Sequence, residues 1–308
     1  MNCPACFSEE DGAIANHGPF VLIRCRQCGL VFSSPMRGGS TDFYQHHVVY
    51  RDADGAMVAL HTRSAMRPAN RRLLARVPRG GRVLDIGCGV GAFVSVAVAA
   101  GLDAHGIDFN EAQIAAGRRH LSLGDRLRVG EVSDLEAHFG KESFDLVTLF
   151  EVIEHVEAPA ELLTQVRRLL RPAGLIALSC PNEARWMPTG RVFVDYPPHH
   201  LTRWRPDTLR SFLARHDFDH VATEIESSAR DLLWVAYVNW SAKRKASRSE
   251  NSESPAPRER PSNIQRVKLA MFETARWASW PFDLLLRGAG VGTMGMRMIA
   301  RKRSTEKS

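Results

Sequence analysis

The chain has 308 residues, 44% hydrophobic and 24% charged, with a formal net charge of +7. That balance suits a sizeable globular core and excludes a collagen-like, low-complexity or wholly disordered chain. The charge is uneven: residues 243–308 hold 15 Lys/Arg against 6 Asp/Glu, so a local +9 leaves −2 for the rest. The basic character therefore belongs to a tail, which reads first as a solvated segment and only then as a nucleic-acid or anionic-membrane surface.

In chain order, "MNCPACFSEEDG" lacks the basic start and apolar run of a secretory signal. The longest uncharged run, Ile86–Leu102, is rich in glycine and suits a loop and helix rather than a membrane span. A cytoplasmic protein is expected, with membrane contact at most peripheral. Cys3 and Cys6 form one Cys-x-x-Cys pair, and Cys25 and Cys28 another eighteen residues on. Two such knuckles read as a four-thiolate zinc site with no open position, hence a structural metal for a segment too small to bury its own core. Metal loss is expected to loosen the first 35 residues only. Cys88 and Cys180 read as packed thiols.

"FVLIRC" and "LVFSS" are strand-like and flank the second knuckle. "SAMRPANRRLLARVP" has helical spacing. From residue 81, strands and helices alternate: "RVLDIG", "AFVSVAVAAG", "DAHGIDF", then "NEAQIAAGRRHL" capped by Asn110, "RLRVGEV", "SFDLVTLFE", "APAELLTQVRRLLRPAG" and "GLIALSCP". Such alternation predicts an α/β fold with a parallel sheet covered on both faces. "NEARWMPTGRVFVDYPPHHLTRW" is a long, aromatic, proline-broken loop, and loops of that length are usually functional. A helix ("RPDTLRSFLARHDF") and a strand ("DHVATEIES") follow, then helical segments around a charged, low-complexity stretch, and "GTMGMRMIARK" as a closing strand. The expected domains are a zinc ribbon at 1–40, a connecting helical segment at 41–80, a Rossmann-like domain at 81–227 plus 292–303, and a helical insertion at 228–291 with a disordered linker at 241–262.

The glycines of "VLDIGCGVGAF" decide the ligand. Gly87, Gly89 and Gly91 follow the first parallel strand in a G-x-G-x-G spacing, and Asp85 stands two residues ahead of them. A dinucleotide site uses G-x-G-x-x-G and places a pyrophosphate there, which Asp85 would repel. Asp85 suits a cationic ligand such as a methionyl ammonium, directly or through water, or it caps the loop. Asp108, at the end of the next strand, suits ribose hydroxyls. Together they favour S-adenosylmethionine over a nicotinamide cofactor.

"VLDIGCGVGAF", "HGIDFN", "GEVSDL" and the run from "FDLVTLFEVIEHVEAP" to "LIALSCPN" resemble the successive motifs of class I S-adenosylmethionine-dependent methyltransferases. The resemblance implies a seven-stranded sheet with the last strand antiparallel and inserted. It implies Asp85, Gly87 and Gly89, with Gly91 behind them, on the methionine side. Asp108 would take the ribose, Phe109 the adenine face, Glu131 and Val132 the adenine amino edge, and Phe150 and Glu151 the sulfonium. "CRQCGLVFSSP" and "YPPHHLTRW" resemble a bacterial subgroup with an N-terminal zinc ribbon, whose members resemble sugar or cell-surface glycan methyltransferases.

Methyl transfer to a hydroxyl is an in-line displacement that needs one base. His155 in "EVIEHVEAP" is the first candidate, with capping of the following helix as its rival reading. His199 and His200 in the long loop come second, as base or substrate clamp, against a purely solvent-facing role. Glu151, Glu154 and His155 also resemble the E-x-x-E-H pattern of ubiquinone-pathway O-methyltransferases, which implies a divalent ion; a metal-free site is the preferred reading. The expected activity is O-methylation of a small molecule or a sugar or cell-surface glycan precursor. The alternatives are a nucleic-acid-binding zinc-ribbon protein, disfavoured because Arg24 and Arg26 are the ribbon's few basic residues, and a membrane-surface methyltransferase that acts on a lipid-linked acceptor through residues 228–291. The oligomeric state is not legible.

Overall fold

A computed structural model describes residues 1–10, 12–39, 55–188, 190–229, 281–286 and 288–304, with a few positions between 232 and 240. The linker expected at 241–262 lies outside the described residues, as does most of the 228–291 insertion.

The N-terminal segment folds into β1 (Ala13–His17), β2 (Phe20–Arg24) and β3 (Val31–Ser34), an antiparallel meander. Sequence reading found the two strands beside the second knuckle and missed β1, whose five residues are all exposed. Next come α1 (Gly55–Ala65) and α2 (Pro68–Leu74). These replace the single helix expected from residue 64, because Pro68 lacks an N–H and sits at the first turn of a new helix.

The main domain is built from β4 (Arg82–Ile86), α3 (Ala92–Ala99), β5 (Asp103–Asp108), α4 (Glu111–Leu121), β6 (Leu127–Val129), α5 (Leu135–Phe139), β7 (Phe144–Phe150), α6 (Pro159–Leu169) and β8 (Leu170–Pro181). The chain continues through β9 (Thr202–Arg203), α7 (Pro206–Arg215), β10 (Phe218–Ile225) and β11 (Gly295–Lys302). The seven-stranded sheet runs β10-β11-β8-β7-β4-β5-β6. β11 lies antiparallel between β10 and β8, while β8, β7, β4, β5 and β6 pair in parallel. The expected sheet, with its inserted antiparallel last strand, is the one observed.

Local chemistry explains the elements. β4, β7 and the run Gly174–Leu178 of β8 are almost continuously buried, as strands covered on both faces must be. α6 buries Leu162, Leu163, Val166 and Leu169, the stripe of an amphipathic helix. The Asn110 side chain accepts the Gln113 N–H at 3.2 Å and caps α4 as expected. Gly117 faces the glycine loop so closely that an added Cβ would lie 2.2 Å from the Val90 carbonyl oxygen. No other residue fits there, and that close approach brings α4 against the loop.

The ribbon is not a separate body. β3 pairs with β9, and Ser33 N–H donates to the Leu201 carbonyl at 2.9 Å. Thr208 Oγ1 donates to the Cys28 carbonyl at 2.6 Å. One apolar core runs from Cys3, Ile23 and Phe32 through Trp204 and Phe212 to Leu84 and Val147. The sequence suggested that metal loss would loosen the first 35 residues only; these contacts tie that segment to β9 and α7. A two-residue strand 170 positions away completes the ribbon's sheet.

Candidate active site

The four knuckle sulfurs lie within 4.8 Å of one another. Cys3 and Cys28 sulfurs are 3.6 Å apart, Cys6 and Cys25 sulfurs 3.4 Å. A tetrahedron with Zn–S bonds of ~2.3 Å has edges of ~3.8 Å, so the cluster fits zinc with little adjustment. The knuckles share one geometry. Phe7 N–H donates to the Cys3 carbonyl and Gly29 N–H to the Cys25 carbonyl, both at 2.9 Å, and both residues take a left-handed φ, +63° and +77°. Glycine meets that demand in the second knuckle, whereas Phe7 meets it at some cost in strain.

The glycine loop follows β4. Gly87, Gly89 and Gly91 have φ of +72°, +54° and +75°. At Gly87 a Cβ would also stand 2.5 Å from Val152 Cγ2, so the alternation keeps the loop tight against the end of β7. Asp108 anchors the loop from the end of β5: its Oδ2 accepts Gly89 N–H and its Oδ1 accepts Asn110 N–H, both at 2.8 Å. Each oxygen keeps a second lone pair for a ligand hydroxyl. Burial raises Asp108, and the two backbone donors oppose that.

Asp85 is buried and accepts Thr148 Oγ1–H at 2.6 Å. Burial pushes its carboxyl up to about 7; the Thr148 bond opposes this and the charge of Asp108 adds to it. Such a group becomes a full anion most readily when a cation arrives. Phe109 exposes 44% of its surface beside Asp108, Glu131 is exposed, and Val132 opens a short 3-10 turn after β6. Phe150 packs edge-on against Phe93, with ring centroids 5.0 Å apart. Cys88 and Cys180 are buried, and burial raises both thiols well above their ordinary value, which keeps them inert.

Beyond β7 the chain turns sharply. Glu151 has φ +56°, a strained value for a non-glycine residue, and Ser179 Oγ donates to its Oε1 at 2.8 Å. Glu151 is exposed at the surface, yet the protein around its carboxyl desolvates it and raises its proton affinity. Glu154 is 1% exposed; no nitrogen or hydroxyl donor meets its oxygens, and its side chain lies within hydrogen-bond reach of the Glu151 carboxyl. Burial, then the charge of Glu151, raises it well above the carboxylate range. His155 Nδ1 lies 2.7 Å from the His199 carbonyl, so Nδ1 carries the proton and donates; its Nε2 lies 3.8 Å from Glu154 Oε1. Burial, and then the charge of His200, pushes His155 down to about 3.

The long loop closes over this segment. Leu201 and Thr202 N–H groups donate to the Glu154 carbonyl at 2.7 and 3.2 Å. The His200 ring meets His155 edge-on at 4.8 Å, and His200 Nδ1 lies 3.7 Å from Asp195 Oδ1, which also accepts Arg185 Nη2. Asp195 sits at about 2: burial opposes ionisation, but His200 and Arg185 outweigh it.

Three sequence readings need correction. His155 does not cap the following helix, because α6 begins at Pro159 behind Ala158. Nor do Glu151, Glu154 and His155 form the metal-binding trio. Glu151 turns to Ser179, and Glu154, His155 and His200 bring one donor atom each within 4.8 Å of the others. A buried carboxyl that meets no nitrogen or hydroxyl donor, beside two imidazoles, has the donor set of a divalent-cation site. His199 and His200 are buried, so the solvent-facing reading fails for both. Sequence reasoning missed Thr148, Ser179, Arg185 and Asp195. They touch the site only through tertiary contacts, and none has a motif of its own.

A family model described as a methyltransferase domain matches residues 58–223, more than half of the chain. The chain belongs to the class I S-adenosylmethionine-dependent methyltransferases. Among curated proteins this methyltransferase is 35% identical over 133 residues to a ubiquinone biosynthesis O-methyltransferase of Roseobacter denitrificans, covering 42% of this chain and 51% of that one. A protein of the same description from Pseudomonas aeruginosa is 28% identical over 163 residues, covering 51% and 69%. The chain thus spans about half the length of the Roseobacter relative. Phosphoethanolamine N-methyltransferase 2 of Haemonchus contortus, solved with phosphomonomethylethanolamine and S-adenosylhomocysteine, shares the fold at a TM-score of 0.54 and 16% identity, over 87% of this chain and 61% of that one. The same enzyme with S-adenosylmethionine gives 0.53 and 16%, over 86% and 60%. The glycine loop, Asp108 and Phe109 stand at the carboxyl ends of β4 and β5, the edge at which open α/β sheets take their ligands.

Proposed function

We propose that the chain transfers the methyl group of S-adenosylmethionine to a hydroxyl oxygen of a small polar acceptor, such as a sugar or a cell-surface glycan precursor. One juxtaposition carries this reading. The cofactor cradle at β4 and β5 and the Glu154–His155–His200 cluster after β7 lie at the same edge of one sheet, and a ribbon-held loop covers the cluster. Asp85 faces the methionyl ammonium and Asp108 the ribose. Phe109 stacks on the adenine, Glu131 and Val132 border its amino edge, and Phe150 and Glu151 border the sulfonium. His155, held neutral with Nδ1 bound to a carbonyl, presents Nε2 as the proton acceptor. His200 orients it, and His199 contributes its carbonyl. The other use of the His155 Nε2 lone pair is as a ligand: a divalent ion held by Glu154, His155 and His200 would supply Lewis acidity to the acceptor oxygen, and His155 would then not take the proton.

His155 is neutral at every pH above about 3, so its charge state adds no step to the rate near pH 6.5, where an ordinary histidine would. The sign for stability follows. Between pH 6.5 and 3 the unfolded chain binds a proton that folded His155 refuses. Acidification through that window therefore destabilises the fold, and above it His155 is silent. Tritiated S-adenosylmethionine incubated with host extract and purified protein is expected to label a small polar product. His155→Ala should lower turnover ~10²-fold with S-adenosylhomocysteine affinity kept. Full turnover in that variant would remove His155 from the chemistry.

A lipid-linked acceptor at a membrane surface is the second reading. Trp186, Phe282, Leu284 and Leu285 are more than half exposed, and no helix among the described residues is long and apolar enough to cross a membrane. Flotation with anionic liposomes tests it.

A further inference from the structure

Where the ribbon meets the long loop, three arginines surround one carboxylate. The Glu183 side chain is 5% exposed and lies 3.1 Å from Arg24 Nη2 and 2.7 Å from Arg191 Nη2. Arg191 also donates to the Glu183 carbonyl at 3.1 Å. Arg203 lies over the Tyr196 ring at 4.8 Å, and Tyr196 stacks on His17 of β1 at 4.6 Å. Asp195 also acts on Arg203 but is already paired with Arg185, so Glu183 alone faces the three guanidiniums and positive charge is left uncompensated. Arg191 Nη1 and Arg203 Nη2 are both buried without a hydrogen-bond partner. Burial lowers the proton affinity of Arg203, and the Arg191 charge lowers it further, so the two cations feel each other.

A chain gains nothing in stability from such an arrangement. Unpaired buried donors and like charges in proximity both cost free energy, and proteins keep them where a ligand compensates. The cluster is open on the side of Arg24, which is 42% exposed. It also borders the candidate site. Glu183 follows the carboxyl end of β8, and Arg203 follows Thr202, whose N–H holds the Glu154 carbonyl.

We propose that Arg24, Arg191 and Arg203 bind a phosphate or diphosphate group carried by the methyl acceptor. Guanidinium forks match phosphate oxygens in pairs, and a dianion balances the excess charge. Glu183 aligns two of the three arginines without neutralising the set. The ribbon then has a role in recognition, since it supplies Arg24 and the His17 support under Tyr196. This proposal rests on the methyl-transfer reading, because the acceptor is what brings the anion.

The test titrates inorganic pyrophosphate into the zinc-loaded full chain by calorimetry, with S-adenosylhomocysteine titrated separately. Saturable pyrophosphate binding is expected, at least tenfold weaker in Arg191→Met and in Arg203→Met, with S-adenosylhomocysteine affinity unchanged. The anion-free Arg203→Met protein should melt no lower than wild type, since it sheds an uncompensated buried charge. No binding by wild type, or undiminished binding in both variants, overturns the proposal. So does a lowered melting temperature in Arg203→Met with pyrophosphate binding kept, which would make the cluster structural. If Arg203→Met does not fold, Arg203→Lys keeps the charge without the fork and should still weaken binding severalfold. Absent S-adenosylhomocysteine binding overturns the methyl-transfer reading instead, and the two failures are read in separate titrations.

Discussion

Cys25→Ser is expected to empty the ribbon of metal and to loosen the candidate active site as well. Elemental analysis should fall from near one zinc per chain to near zero, because a structural site with three thiolates holds zinc far more weakly. The second effect follows from topology. Cys25 directly follows β2, which pairs with β3, and among the described residues β3 is β9's only partner in its sheet. β9 in turn follows His199 and His200. Hydrogen exchange at Leu201, Thr202 and Arg203 should therefore speed up together with exchange at Val31–Ser34. Exchange at Val83–Ile86, in the middle of the main sheet, should change little. Metal retained in the variant would contradict the zinc site. Metal lost with residues 201–203 still protected would contradict the coupling.

Asp108→Ala should weaken S-adenosylmethionine binding ~10²-fold. The variant loses the acceptor for the ribose hydroxyls, and a hydrogen bond to a charged group contributes roughly 1.5–3 kcal/mol. It also frees the Gly89 and Asn110 N–H groups, which Asp108 holds at 2.8 Å. Asp108→Asn separates the two roles. It keeps one acceptor oxygen, and calorimetry should place its affinity between wild type and the alanine variant. Equal affinity in all three proteins would remove Asp108 from the ribose.

These two experiments probe parts of the molecule that differ in how legible they were. The cradle is written locally. Gly87, Gly89 and Gly91 are needed at positive φ within a single loop, and Asp85 and Asp108 end neighbouring strands, so spacing alone places them together. The two knuckles are likewise local, and their ligand types name the metal. The region after β7 is different. His155 was visible as a residue, but its state is set by the His199 carbonyl 44 positions away and by burial under a loop that no periodicity describes. His200 entered as a loop histidine and proved to face His155, and it rather than Glu151 joins Glu154 and His155 in the three-donor cluster. Arg24 read as one of the ribbon's few basic residues. Only the pairing of β3 with β9 brings it to Glu183 beside Arg191 and Arg203. Contacts between distant segments carry no short-range signal, and this site depends on them.

The central claim is that the β4–β5 edge is built for S-adenosylmethionine and not for a dinucleotide. Calorimetric titration of the zinc-loaded full chain with S-adenosylhomocysteine, and separately with NAD, tests it most directly. The account predicts one S-adenosylhomocysteine per chain and no measurable heat with NAD, because buried Asp85 opposes a pyrophosphate at the glycine loop. Binding of NAD more tightly than S-adenosylhomocysteine, or no binding of S-adenosylhomocysteine at all, would contradict it.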